Sequence, residues 1–362
     1  MTTNKFTLKK KLLYSSVSLI IFLLIVELTL RGIIVLIFLI NPNNSSLIPY
    51  DAYESYSSEY VTKLNPNYEE KNPDGTVNMK INSLGFRGAE FEIIKTSDIK
   101  RIVIAGDSTV FGMTPETCPY PYQVQQNFND FQKSKIEVIN GGIEGNNSQI
   151  VLKRIEKQIL PIKPDLILLA VGWNDLYSNN PLNNNESKSY RTSWRYLNKS
   201  YITKGVRRLI FRYIKPNLAK IKPISIDEKK SLVESYNKYL PAEYIENMEQ
   251  IIEIGKKKNI QIVLMTMPTI LSKNMSESAI KTAHYPYYTS DPELLTILAE
   301  RYNVTIRELS QKYAMPLIES ANHFDSIENK EQYFFDTMHM YCNGYELLGK
   351  YVSDELIRQN IL

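Results

Sequence analysis

The sequence predicts an α/β domain built on a parallel sheet and preceded by one membrane-spanning helix. Three observations predict it. From residue 101 onward, short β-branched apolar runs alternate with stretches whose apolar residues recur at helical spacing. Each of the first three runs ends in a polar, glycine-bearing turn. Near the N-terminus, Leu12 to Ile40 is apolar apart from Glu27, Arg31 and a few small or hydroxyl residues. Continuous apolar strands interleaved with amphipathic helices argue for a sheet covered on both faces, since a sheet with one wet face alternates apolar and polar residues.

The N-terminal stretch comes first. A spanning helix needs roughly 20 residues at about 1.5 Å each, and Leu12 to Ile40 is long enough. The competing reading is a cleaved signal peptide. Its apolar region is normally about 7–15 residues and ends at a small-x-small site, neither of which fits. Glu27 and Arg31 lie four apart and share a helix face, so they can pair. Lys5, Lys9, Lys10 and Lys11 precede the span, and Asn41 to Tyr50 carries no charge. By the positive-inside tendency, 1–11 is a cytoplasmic basic tail, 12–40 the anchor, and the rest extracytoplasmic.

Residues 41–98 read as a stalk and short β region, ahead of a catalytic domain at 99–362. Asn72-Pro73-Asp74-Gly75 is a turn signal. Val77 to Ile81 alternates apolar and polar residues as a short strand would. Asn82 to Gly88 follows, where Gly85 and Gly88 imply tight turns.

The strands expected next are Arg101–Ala105, Lys135–Ile139, Asp165–Val171 and Gln261–Met267, with Pro316–Ile318 as a weaker fifth. Helices are expected at Ile150–Leu160, Tyr244–Ile254, Leu294–Leu309 and Tyr345–Ile357. A basic, aromatic insert at 177–231 interrupts the alternation. It reads as a lid, as a basic surface meeting anionic lipid or glycan, or as a solvated peripheral helix pair spanning Ser193 to Tyr213.

Ligands of such sheets bind beyond the carboxyl ends of the strands, where the polar motifs cluster. Serine is a weak nucleophile that needs a general base and donors for the oxyanion it generates. Ser108 follows a buried strand in the turn Gly106-Asp107-Ser108. The sequence holds three histidines. His284 and His323 sit in loops and read as surface residues. His339 closes Asp336-Thr337-Met338-His339, a spacing that lets Asp336 reach the imidazole and fix its tautomer. Gly145 can offer a backbone N–H with close approach, Asn174 a side-chain amide, and Ser108 its own N–H.

The order Gly106-Asp107-Ser108, Asn140 to Gly145, Gly172-x-Asn174-Asp175, Asp336-x-x-His339 resembles the four blocks of the SGNH (GDSL-like) hydrolases, over roughly residues 100–355. The resemblance implies a three-layer α/β/α fold with a five-stranded parallel sheet. It implies Ser108, Asp336 and His339 as catalytic residues, Ser108, Gly145 and Asn174 as oxyanion donors, and no cofactor or metal. Asn82 to Gly88 is similar to a segment of bacterial membrane-tethered members, and Arg87 within it has no assigned role. Thr109 stands where a leucine is commonest. Asn146-Asn147 replaces a frequent Asp-Thr pair, which leaves Gly142 as a competitor for Gly145.

The resulting expectation is a membrane-anchored serine esterase acting on O-acyl groups of cell-envelope glycans or lipids. Two alternatives stand beside it: a carbohydrate O-acyltransferase on the same site, and a non-catalytic membrane-tethered binding protein. A formal net charge of +4 over 362 residues, without a basic, base-stacking helix, argues against nucleic acid. Cys118 and Cys342 are the two cysteines. Under this fold their loops converge on one rim, where they either form a disulfide or remain two small side chains.

Overall fold

The computed structural model describes residues 7–40, 54–56, 62–113, 115–129, 135–181, 202 and 225–361. Contacts divide the chain into two units, Met1–Pro49 with Asn185–Pro223 and Tyr50–Asn184 with Ile224–Leu362. The first unit contains helix α1 (Leu8–Ile40), long and apolar enough to cross a membrane. Its Glu27 and Arg31 do pair, with Oε1 2.9 Å from Nε and 2.8 Å from Nη2. Glu27 also accepts from the Ile202 N–H at 3.1 Å. Apart from Ile202, the helices expected between Ser193 and Tyr213 lie outside the described residues, as does the start of the stalk at 41–53.

The second unit holds the five-stranded sheet. Strands β1 (Glu54–Tyr56) and β2 (Thr62–Leu64) pair antiparallel, as do β3 (Glu69–Lys71) and β4 (Val77–Lys80). The expected turn at Asn72-Pro73-Asp74-Gly75 joins β3 to β4, and Gly75 N–H donates to Asn72 O at 2.9 Å. Then come β5 (Ile99–Gly106), β6 (Lys135–Gly142), β7 (Leu166–Ala170), β8 (Gln261–Met265) and β9 (Leu317–Ile318). Their order across the sheet is β6-β5-β7-β8-β9, and every pairing is parallel. β7 (Leu-Ile-Leu-Leu-Ala) is buried throughout, which is why its sequence has no polar face.

The helices are α2 (Ser108–Phe111), α3 (Tyr120–Asn129), α4 (Ser148–Arg154), α5 (Trp173–Ser178), α6 (Ile226–Asn237), α7 (Ala242–Lys258), α8 (Glu277–Thr282), α9 (Pro292–Tyr313), α10 (Ser320–Asp325) and α11 (Cys342–Arg358). α3 packs on α11, while α7 packs on both α4 and α9, giving the two helical layers of an α/β/α sandwich. α9 shows how local chemistry sets limits: Asp291 caps it by accepting from Glu293 N and Leu294 N, Pro292 opens it, and Ala314 ends it at φ 52°.

Two differences from expectation have physical causes. The helix expected through Leu160 keeps α-geometry only to Arg154, then loosens into a π-turn (Ile155–Ile159) and a 3-10 turn (Leu160–Ile162). Pro161 has no N–H with which to extend the ladder. α3 was not expected, because YPYQVQQNFN is polar and poor in strong helix formers. It forms because Tyr120, Val124 and Phe128, spaced by four, bury one face. Its Gln125 also covers open edge strand β6, donating to Ile136 O (3.0 Å) and accepting from Val138 N–H (2.7 Å).

Residues 62–91 pack on the core of the sheet unit. Leu64, Met79 and Ile81 form a buried cluster with Phe111 and Ile143, and Phe86 belongs to the main core. The segment expected as a stalk and short β region therefore touches α2 and the loop after β6.

Candidate active site

β5, β6 and β7 end level with one another, since Gly106 pairs with both Gly142 and Ala170. The three turns that follow start from one edge of the sheet. After β5, Asp107 caps α2, its Oδ1 accepting from Thr109 N (2.9 Å) and Thr109 Oγ1 (2.7 Å). Ser108 is thereby fixed as the first residue of α2, half-buried at the turn. Asp107 is fully buried and its Oδ2 has no hydrogen-bond partner; burial raises its pKa, against the bonds from Thr109.

The loop after β6 carries Gly145. Ile143 N–H donates to Gly106 O at 3.3 Å, tying this loop to the end of β5. The two candidate glycines have different duties. A Cβ on Gly142 would lie 2.2 Å from Phe111 N, so Gly142 lets α2 approach β6. Gly145 is exposed with φ +72°, a conformation side-chain-bearing residues rarely adopt.

The turn after β7 supplies Asn174 and Asp175. Asn174 Nδ2 donates to Asn146 O at 3.0 Å, joining this turn to the Gly145 loop. Asp175 is buried and accepts from Ser148 N (2.8 Å) and Ser148 Oγ (2.6 Å), while Asn247 Nδ2 donates to the same hydroxyl at 2.9 Å. Asp175 is thus the brace between the two loops, a role its place beside Asn174 does not announce.

His339 approaches from just before α11. Its Nε2 lies 2.7 Å from Ser108 Oγ and its Nδ1 2.8 Å from Asp336 Oδ2. Asp336 Oδ1 also accepts from the backbone N–H of Met338 (2.9 Å) and His339 (2.8 Å). An ionised carboxylate only accepts, so Nδ1 carries the hydrogen and Nε2 is free to take one from serine. Burial acts to raise the Asp336 pKa, but the His339 bond and charge and the two N–H donors leave it lowered. Burial acts to lower the His339 pKa, yet the Asp336 bond and charge, with Asp107 and Glu144 adding, leave it raised.

Several groups here leave no signal in the sequence. Glu144 is half-buried beside Gly145, and burial raises its carboxyl to about 7 against the His339 charge. Phe335 stacks on the His339 ring, centroids 5.6 Å apart. The His loop is tied down at Thr337: its carbonyl accepts from Thr269 Oγ1 (2.7 Å) and Ile270 N (3.1 Å), and its hydroxyl donates to His284 O (2.6 Å). His284 is exposed as expected. His323 is half-buried instead, stacked on Tyr351 at 3.9 Å. Cys118 and Cys342 form a disulfide, Cα atoms 4.9 Å apart across 224 residues of sequence, pinning the start of α11 beside the His loop.

The GDSL-like Lipase/Acylhydrolase family profile matches residues 104–347, from within β5 to within α11. The chain belongs to this family. Among solved structures, this GDSL-like chain is similar to a lipase/acylhydrolase from Enterococcus faecalis, at 19% identity over 71% of this chain and 95% of that one, TM-score 0.42. It is also similar to an acetyl xylan esterase from Geobacillus stearothermophilus, at 16% identity over 73% and 97%, TM-score 0.42. No curated protein matches it. The four blocks read from the sequence fall inside the family match.

Proposed function

We propose that this GDSL-like protein is a membrane-anchored serine esterase that removes ester-linked acyl groups through an acyl-enzyme. The observation that carries the reading is the relay Asp336–His339–Ser108, closed by contacts of 2.8 Å and 2.7 Å. Ser108 Oγ attacks the ester carbonyl as His339 Nε2 takes its proton. Asp336 holds the tautomer and stabilises the imidazolium. The Ser108 N–H, the Gly145 N–H and the second amide hydrogen of Asn174 receive the developing oxyanion, each contributing about 10²–10³ in rate when well placed. His339 then returns the proton to the leaving alcohol, and water resolves the acyl-enzyme by the same path in reverse.

The anchor in this reading is the Leu12–Ile40 stretch, with the lysines before it cytoplasmic and the ester-cleaving unit outside. Its substrates are O-acyl groups of cell-envelope glycans or lipids. Support comes from the length and exposed apolar side chains of α1 and from the charge asymmetry across it.

The test is turnover of p-nitrophenyl acetate by the full chain in detergent, beside Ser108→Ala and His339→Ala. The reading expects steady hydrolysis by the wild type and its loss in both variants. A folded wild type without turnover, or variants that match it, would overturn the reading.

A further inference from the structure

Arg87 lies outside the four blocks, yet its guanidinium makes four hydrogen bonds at and just beyond the end of the helix that carries Ser108. Its own segment is rigidly held. Asn82 Oδ1 accepts from Leu84 N (3.0 Å) and Phe86 N (2.9 Å), and Asn82 Nδ2 donates to Ala89 O (2.9 Å). The Arg87 backbone forms antiparallel bridges with Ile81 and with Asn140 of β6. From this fixed base the side chain, only 1% exposed, reaches the far end of α2. Nη1 donates to Phe111 O (3.0 Å) and Gly112 O (2.9 Å), Nη2 to Met113 O (3.0 Å), and Nε to Glu116 Oε2 (3.3 Å). The guanidinium also sits 4.7 Å over the Phe111 ring.

A four-residue helix cannot satisfy its own last carbonyls, and a cation suits that end. The geometry goes further than capping. Gly112 N–H donates to Ser108 O at 2.9 Å, and the Gly112 carbonyl accepts from Arg87. One residue therefore separates the guanidinium from the backbone of the nucleophile. Asn140 Nδ2 adds a second donor to Phe111 O at 3.1 Å.

We propose that Arg87 is a positioning residue for the ester chemistry: it clamps the C-terminal end of α2 and so holds Ser108 Oγ in line with His339 Nε2. The inference rests on Ser108 being the nucleophile. It also assigns 82–88 to the reaction machinery, as a clamp reaching in from before the first block. Lysine cannot substitute, because a single ammonium lacks the planar fork that meets three successive carbonyls and a carboxylate.

The test uses the full chain in detergent, with a fluorophosphonate probe counting competent sites so that kcat is expressed per site. Misplacement of a reacting group by about 1 Å costs on the order of 10²-fold. Arg87→Lys should therefore lower kcat per site roughly 10–100-fold, with KM within about twofold of wild type. Guanidinium ion should restore part of kcat to Arg87→Ala and none to Ser108→Ala. Wild-type kcat per site in Arg87→Lys, or a change confined to KM or to the melting temperature, would overturn the proposal. If Arg87→Ala does not fold, Arg87→Lys decides alone, and loss of folding in both would make Arg87 a folding residue and overturn the positioning role. A wild type that neither labels nor turns over would instead remove the Ser108 reading beneath it.

Discussion

The Ser108 turn and the His339 loop meet across 2.7 Å but are held in different ways. Ser108 sits on a four-residue helix with little internal stability, braced from outside by Arg87, Asn140 and the Gly142 approach. His339 is oriented within one turn of its own chain, by the carboxylate three residues before it, and the loop as a whole is tied by Thr337 and the Cys118–Cys342 disulfide. The helix under Ser108 is braced by long-range contacts, while the His339 ring is oriented locally within a loop that long-range ties hold in place. Damage to the two halves should therefore register differently.

The largest effect is expected where orientation is local and direct. Asp336→Asn should lower kcat/KM by about 10³–10⁴, because an amide in place of the carboxylate favours the wrong imidazole tautomer. Steady-state kinetics on p-nitrophenyl acetate check it, and a loss under tenfold would detach Asp336 from the relay. Asn174→Ala should cost about 10²–10³ in kcat with KM little changed, since the amide works only on the oxyanion. A fall confined to KM would mean that Asn174 serves only to tie its turn to Asn146.

The disulfide belongs to the frame and not to the chemistry. Cys118→Ser with Cys342→Ser should lose about 2–5 kcal/mol of stability while kcat in the folded state changes less than tenfold. Chemical denaturation beside kinetics separates the two, and a kcat loss as deep as that of Asp336→Asn would show that the bond itself sets the His loop.

The smallest effect is in pH. His339 must be neutral to accept the Ser108 proton, and its pKa is raised above 6.5 by Asp336, with Asp107 and Glu144 adding. Activity should fall as pH drops through a midpoint above 6.5. Glu144→Gln should move that midpoint downward, because a negative neighbour that favours the imidazolium is gone. An upward move in the pH–kcat/KM profile would contradict the electrostatics.

The same contrast explains what the sequence discloses. The five strands are legible because each is an apolar run too short for a helix, and Asp336-x-x-His339 is legible because its geometry lies within one turn. Asn174 and Gly145 are legible only through block order, since the bond from Asn174 to Asn146 O joins turns 28 residues apart. Arg87 lies 24–26 residues from the carbonyls it holds, and Asp175 27 residues from Ser148. Neither role leaves a local pattern. α3 is hidden for a related reason: packing of Tyr120, Val124 and Phe128 overrides a polar composition.

The most direct test of the account is where a fluorophosphonate attaches. The full chain is labelled in detergent at neutral pH, digested, and the modified residue located by mass spectrometry. The account predicts one phosphonyl group, on Ser108, formed slowly or not at all in His339→Ala. Labelling at another residue, or none on a folded and correctly disulfide-bonded wild type, would contradict it.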